Sequence, residues 1–162
     1  MRIGLISDTH NRVPARIFDD FAGVDLIIHA GDIGSQKVLD ELKIIAPVKA
    51  VYGNMDGFPL TGNLSRIDCM KLDGLNLCLT HIVNSPKSFA FELFKMGKQA
   101  DIIVFGHTHR AEQVWFNDIL FINPGSAVQA RDDRGPSVAI LTIEENKPQV
   151  EFIFFNSQKP RI

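Results

Sequence analysis

The residues of this chain that could do chemistry gather where apolar runs stop. Ile102-Ile103-Val104-Phe105 ends abruptly at Gly106, and His107-Thr108-His109 follows, presenting two imidazoles one residue apart. Four other endings share that form. Ile3-Gly4-Leu5-Ile6 leads into Ser7-Asp8-Thr9-His10, and Leu26-Ile27-Ile28-His29 leads into Ala30-Gly31-Asp32. Val48-Lys49-Ala50-Val51-Tyr52 leads into Gly53-Asn54-Met55-Asp56, and Leu77-Cys78-Leu79 into Thr80-His81. A lone Asp-x-His or Gly-Asp turn is ordinarily structural. Together the endings put four of the five histidines, two aspartates and an asparagine at the tips of strands. Imidazoles are poor packing there, but they suit the surroundings of a cation.

The donor set narrows the ion. Imidazole nitrogens mixed with carboxylate and amide oxygens suit divalent manganese, iron, nickel, cobalt or zinc. The strand ends carry no thiolate, which disfavours a closed structural zinc site. Seven donors are too many for one tetrahedral ion and suit two ions about 3.5–4 Å apart with a bridging carboxylate. Two divalent cations less the charges of Asp8 and Asp32 leave a net positive centre that attracts a phosphate ester. Water held between such ions is acidified toward hydroxide near neutral pH.

Positioning these residues requires strands that end together. Arg2–Ile6, Val24–His29, Val48–Tyr52 and Asp101–Phe105 read as short buried strands. Pro14 opens a helix to about Phe21, and Ser35 caps another through Ile45, whose Val38, Leu39, Leu42 and Ile45 form one apolar stripe. Residues 53–65 read as loop. Asp73-Gly74 marks a hairpin between Arg66–Leu72 and Leu75–Thr80. Ser85-Pro86 starts a helix reaching about Lys98, with Phe89, Leu93 and Met96 facing inward. Val114–Phe116 and Ile119–Ile122 form a second hairpin, 128–135 a charged loop, and Ser137–Ile143 and Gln149–Phe155 two closing strands. The polar tail from about residue 156 is expected to fray. Strands alternating with helices, then pairing as hairpins, predict an α/β domain of stacked mixed sheets covered by helices, spanning 1–162. Ligands in such folds gather at the carboxyl ends of strands.

Composition limits the partners. Hydrophobic residues make up 45% of the 162 residues and charged residues 22%, with a net charge of -2. That balance shows no basic stripe for long DNA or RNA. No stretch is long enough to span a membrane and no secretory signal opens the chain, so a cytoplasmic location is expected. A homo-oligomer is compatible with the composition. The hairpin register places Cys69 opposite Cys78 in a non-hydrogen-bonded pair, where side chains come closest. In a reducing compartment they are expected to remain thiols.

The order Asp8-x-His10, Gly31-Asp32, Gly53-Asn54, Thr80-His81 and Gly106-His107-x-His109 resembles the calcineurin-like metallophosphoesterase family. The run Ile122-Asn123-Pro124-Gly125-Ser126, followed by Arg131-Asp132-Asp133-Arg134-Gly135, is similar to its small single-domain phosphodiesterase branch. The resemblance covers Asp8 to about Ile143 and implies a four-layer α/β/β/α sandwich with two mixed sheets. It implies that Asp8, His10 and His109 hold one divalent ion, that Asn54, His81 and His107 hold a second, and that Asp32 bridges them. Manganese is the first choice, with nickel, iron, cobalt or zinc as alternatives. The implied reaction is attack of a metal-bridging hydroxide on a small phosphodiester or nucleotide, with Asn54 and the metals stabilising charge.

Two departures bear on the chemistry. Larger relatives follow Gly-Asn with a histidine thought to protonate the leaving oxygen, whereas Met55-Asp56 stands here. Asp56 is either an acid with a raised pKa or a cap of its own loop. Relatives also often have glycine after the residue aligned with His81, where this chain has Ile82-Val83. Asn11 is either a phosphate contact or a turn cap. Arg131 and Arg134 either clamp substrate or are solvated charges. His29 is expected to be a core or supporting histidine, and Trp115 either packs or stacks a base. The alternatives to a diesterase are a non-catalytic protein-interaction scaffold of the same fold, or a phosphomonoesterase or dinucleoside polyphosphate hydrolase.

Overall fold

The computed structural model describes residues 1–131 and 133–155. Alternation along the first strand, β1 (Arg2–Ile6), sets the layering. Ile3 and Leu5 point to one face and enter a buried cluster with Leu77, Leu79, Ile102 and Val104. Ile6 points to the other and packs with Ile17, Phe21 and Leu39. A strand apolar on both faces must be covered on both. Gly4 makes the helical side possible, since a Cβ there would lie 2.9 Å from the Phe21 ring.

One sheet joins β1 to β2 (Leu26–His29) and β3 (Val48–Ala50) in parallel, and to the antiparallel closing pair β9 (Ser137–Glu144) and β10 (Lys147–Phe154). Its order is β10-β9-β1-β2-β3. The other holds β4 (Ile67–Leu72), β5 (Leu75–Thr80), β6 (Ile102–Val104), β7 (Ala111–Phe116) and β8 (Ile119–Pro124), in the order β4-β5-β6-β8-β7. Helices α1 (Ile17–Asp20) and α2 (Gln36–Lys43) cover the outer face of the first sheet. Helix α4 (Pro86–Lys95) lays Phe89 and Leu93 on Cys78, Ile103 and Phe121 of the second. The result is the expected α/β/β/α sandwich of two mixed sheets. No described helix is long and apolar enough to cross a membrane.

Several local expectations are corrected. The helix from Pro14 is mostly i→i+3 turns, such as Ile17 N–H to the Pro14 carbonyl, and only Ile17–Asp20 is α-helical. Ser35 does not cap α2 with its side chain, because its hydroxyl donates to Asn11 Oδ1 instead. The loop after β3 contains one helical turn, α3 (Leu60–Asn63). Met96 is 46% exposed rather than buried. There the chain leaves α4 through Gly97 at φ 67°, with Lys98 N–H reaching the Leu93 carbonyl and Gly97 N–H that of Phe94. This Schellman ending carries Met96 off the apolar face.

The β4–β5 register is the one expected, with Leu72 opposite Leu75 and Cys69 opposite Cys78. The thiols, however, are joined as a disulfide across a Cα–Cα separation of 4.1 Å. Cross-strand proximity outweighs the compartment argument. The tail from residue 156 lies outside the described residues.

Candidate metal centre

Five strands, β1, β2, β3, β5 and β6, deliver the candidate ligands from their carboxyl ends. The turns that follow are unusual. Asp8, His10, Asp32, His107 and His109 all have left-handed backbones, with φ between 43 and 69°. Non-glycine residues visit that region at a cost of order 1–3 kcal/mol each, and such residues concentrate at functional sites. Neighbouring glycines make room for them. A Cβ on Gly53 would sit 2.1 Å from Asp32 Oδ1, and one on Gly106 2.8 Å from Asp8 Oδ2.

These turns bring the groups into two overlapping clusters, Asp8 with His10 and His109, and Asp8 with Asp32 and His81. His109 Nε2 lies 3.1 Å from Asp8 Oδ1 and 3.3 Å from His10 Nε2. His81 Nε2 lies 3.4 Å from Asp32 Oδ2 and 3.9 Å from Asp8 Oδ1. Spacings near 3.3 Å match neighbouring donors on one ion bound at about 2.1 Å. Asp8 Oδ1 and His81 Nε2 are buried without a hydrogen-bond partner among the described groups. Such atoms are costly unless something pairs with them. Asp8, rather than Asp32, is the carboxylate common to both clusters.

The imidazoles are oriented as metal ligands usually are. A carbonyl only accepts, so His81 Nδ1 donates to Ala30 O at 2.7 Å and His109 Nδ1 to Gln129 O at 2.7 Å. Both Nε2 lone pairs then face the carboxylates. Asn54 and His107 are exposed at the rim, joined by His107 Nδ1 and Asn54 Oδ1 at 3.0 Å. The His107 and His81 rings are 5.3 Å apart.

The electrostatics fit a cation. Asp8 raises the pKa of His109, against its burial and with help from the Gln129 carbonyl. Burial pushes His81 down, but the adjacent Asp32 and Asp8 outweigh it and the net shift is upward. Burial likewise opposes ionisation of Asp32, yet His81 and the Met55 N–H hold its pKa below the ordinary value. A proton on either imidazole occupies the place a divalent ion would take.

Other candidates sit apart from the clusters. The Asp56 carboxylate accepts the N–H groups of Ile33, Gly34 and Gly53 at 2.8–3.1 Å, so it pins two ligand-bearing turns together. Those contacts are those of a loop cap. Asn11 Oδ1 is engaged by Ser35. Arg131 lines a polar cleft of about 440 Å³ with His107, Thr108, Arg110 and Glu112. Arg134 instead donates to the Ala111 carbonyl and lies over the Phe154 ring. His29 accepts from Gly31 N–H at Nδ1 and donates from Nε2 to Thr9 Oγ1. Trp115 is on edge strand β7, 60% exposed.

Supporting residues that sequence reasoning passed over come from the Asn123–Ser126 run and Ser7. Asn123 Nδ2 donates to Gly106 O and Thr108 Oγ1, fixing the turn between β6 and His109. Ser126 Oγ donates to Asp8 O, and Ser7 Oγ to Asp8 Oδ2 at 2.6 Å. Their trace in the sequence is the Ile122-Asn123-Pro124-Gly125-Ser126 run that carries part of the resemblance, and the place of Ser7 beside Asp8.

Known proteins resemble this chain along most of its length. Residues 1–146 match the family model of the calcineurin-like phosphoesterase superfamily domain. The chain is 36% identical over 161 residues to a probable metallophosphoesterase of Methanothermobacter thermautotrophicus, covering 94% of this chain and 92% of that protein. It is 33% identical over 164 residues to a phosphodiesterase of Methanocaldococcus jannaschii, covering 91% and 96% respectively. Among solved structures, Vps29 of Chaetomium thermophilum superposes with a TM-score of 0.76 at 20% identity, covering 94% of this chain and 96% of that one, a likeness of fold alone.

Proposed function

Because the chain belongs to the calcineurin-like phosphoesterase superfamily, we propose that it is a metal-dependent phosphodiesterase acting on a small phosphodiester or nucleotide. The observation that supports this reading is a pair of buried atoms, Asp8 Oδ1 and His81 Nε2, that lie 3.9 Å apart and have no hydrogen-bond partner among the described residues. In this reading Asp8, His10 and His109 would hold one ion and Asn54, His81 and His107 a second, with Asp32 shared between them. The resemblance gives Asp32 the bridge, while the distances give Asp8 the larger share of both clusters. Manganese is the first choice of metal, and nickel, iron, cobalt and zinc suit the same donors. When bound, such ions supply Lewis acidity toward phosphoryl oxygens and an acidified water.

The chain's own residues do the remaining work. Asp8 and Asp32 set the charge of the centre, and the carbonyls of Ala30 and Gln129 fix the tautomers of His81 and His109. The His107 contact orients the Asn54 amide, leaving its Nδ2 hydrogens for a phosphoryl oxygen. Arg131 and Arg110 flank the polar cleft and attract the anion. Since Asp56 is committed to three backbone amides, esters with acidic leaving groups are the best substrates.

Metal-depleted protein should hydrolyse bis-p-nitrophenyl phosphate only after addition of Mn²⁺ or Ni²⁺. Asn54→Ala and His109→Ala should each lower that rate by about 100-fold or more. Unchanged metal-dependent turnover in either variant would refute the assignment of the site.

A further inference from the structure

Beside the metal centre is a second, differently built space. Tyr52, Asn54, Arg66, His81 and Ile82 line a cavity of about 210 Å³ whose walls are almost wholly apolar. It opens onto two of the candidate ligands, Asn54 and His81. Its walls are held in place by the fold. Tyr52 N–H bonds to the Ser65 carbonyl where Val51 bridges to Ser65. Thr80 Oγ1 donates to the Arg66 carbonyl, and the Arg66 guanidinium is paired with Glu92 at 2.5 Å. Ile82 is 37% exposed, an apolar side chain left at the mouth.

The cavity and the polar cleft meet at the hydrogen-bonded pair Asn54 and His107, one residue lining each space. A phosphoryl group at the metal centre therefore has an apolar recess on one side and the guanidinium groups of Arg110 and Arg131 on the other. An apolar cavity of about 150 Å³ is enough to hold benzene. Resting on the phosphoesterase reading above, the geometry points to a subsite that takes the planar aromatic arm of the phosphoester, with Tyr52 and Ile82 as its specificity-determining side chains. The exposed Trp115 lines neither space.

Binding to Zn²⁺-loaded protein tests this without relying on turnover. The probes are inorganic phosphate, methyl phosphate, phenyl phosphate and a nucleoside 5′-monophosphate, titrated by calorimetry. Tyr52 is the chain's single tyrosine, so its ring resonances report occupancy of the cavity directly. Phenyl phosphate should bind about tenfold or more tighter than methyl phosphate and shift the Tyr52 ring signals. In Ile82→Asp the preference should fall to about one, and in Ile82→Gly it should shrink in the same direction. A nucleotide that matches or exceeds phenyl phosphate supports the subsite with a nucleobase as its aromatic group. A nucleotide that binds like methyl phosphate supports a simple aryl ester. Equal binding of phenyl and methyl phosphate, or a preference that survives Ile82→Asp, overturns the subsite alone. Failure of inorganic phosphate to bind overturns the phosphoesterase reading and the subsite with it.

Discussion

Asp56 and His29 separate support from chemistry at the scale of single residues. Asp56 sits after Asn54, where a proton donor would be expected, yet its oxygens accept three backbone amides. Asp56→Asn should lower stability by about 2 kcal/mol through the loss of charge-assisted hydrogen bonds. It should also slow p-nitrophenyl and alkyl leaving-group esters by the same factor. A loss confined to the poorer leaving group, seen in parallel kinetics, would restore it as an acid. His29 is held neutral by burial, against the charges of Asp56 and Asp8, and its pKa falls from 6.5 to about 4. Between those values the unfolded chain binds more protons, so stability from this residue is complete above the unfolded value and lost as the pH falls toward 4. The gap is worth about 3 kcal/mol at most. The raised values of His81 and His109 act in the opposite sense, complete below their unfolded pKa and lost as the pH rises. Denaturant unfolding of chelator-treated protein should therefore show that His29→Gln loses less stability than wild type between pH 7 and pH 4.5. Parallel losses would contradict the buried neutral imidazole.

Residue identity was legible in the sequence, but residue conformation was not. Asp-x-His and Gly-His-x-His state which donors are present. Nothing in them reveals that five candidate ligands adopt positive φ, because that strain is imposed by neighbours such as Asn123 and Ser126 from the end of β8.

Elements were read best where one local signal fixes them. Asp73-Gly74 set both the β4–β5 turn and its register, because a two-residue loop with positive φ at both positions leaves little freedom. The same holds at Asn117-Asp118, whereas the two-residue turn Glu145-Asn146 is tighter than the strand bounds 137–143 and 149–155 led one to expect. Helices fared worse at their ends. Apolar spacing placed Phe89 and Leu93 on the core, but α4 stops at Lys95, before the local Gly97 turn, and the segment from Pro14 winds mostly as i→i+3 turns. The disulfide belongs to this scale, since it ties β4 to β5 three residues before His81. Its loop is short and already closed by the turn, so it should add only about 1–2 kcal/mol. Thiol-reduced protein should melt a few degrees lower with both sheets intact, and free-thiol titration of untreated, denatured protein should find none. Two reactive thiols per chain would show that the cysteines are not joined.

For the whole molecule, the informative signal was order along the chain. Five motifs separated by tens of residues converge because each ends a strand, and parallel strands that share a direction also share an end. That logic delivered the two sheets and the meeting of Asp8, His10, Asp32, His81 and His109. It did not deliver the walls around them. The Tyr52 cavity and the Arg131 cleft depend on packing between distant turns, which composition and periodicity do not encode.

A two-ion centre underlies the proposed chemistry, and the most direct measurement of it is anomalous diffraction from crystals soaked in Mn²⁺. Two peaks about 3.5–4 Å apart are expected, one contacted by Asp8, His10 and His109 and the other by His81, His107 and Asn54, with Asp8 or Asp32 oxygen between them. A single peak, or none, among these side chains at saturating Mn²⁺ would contradict it.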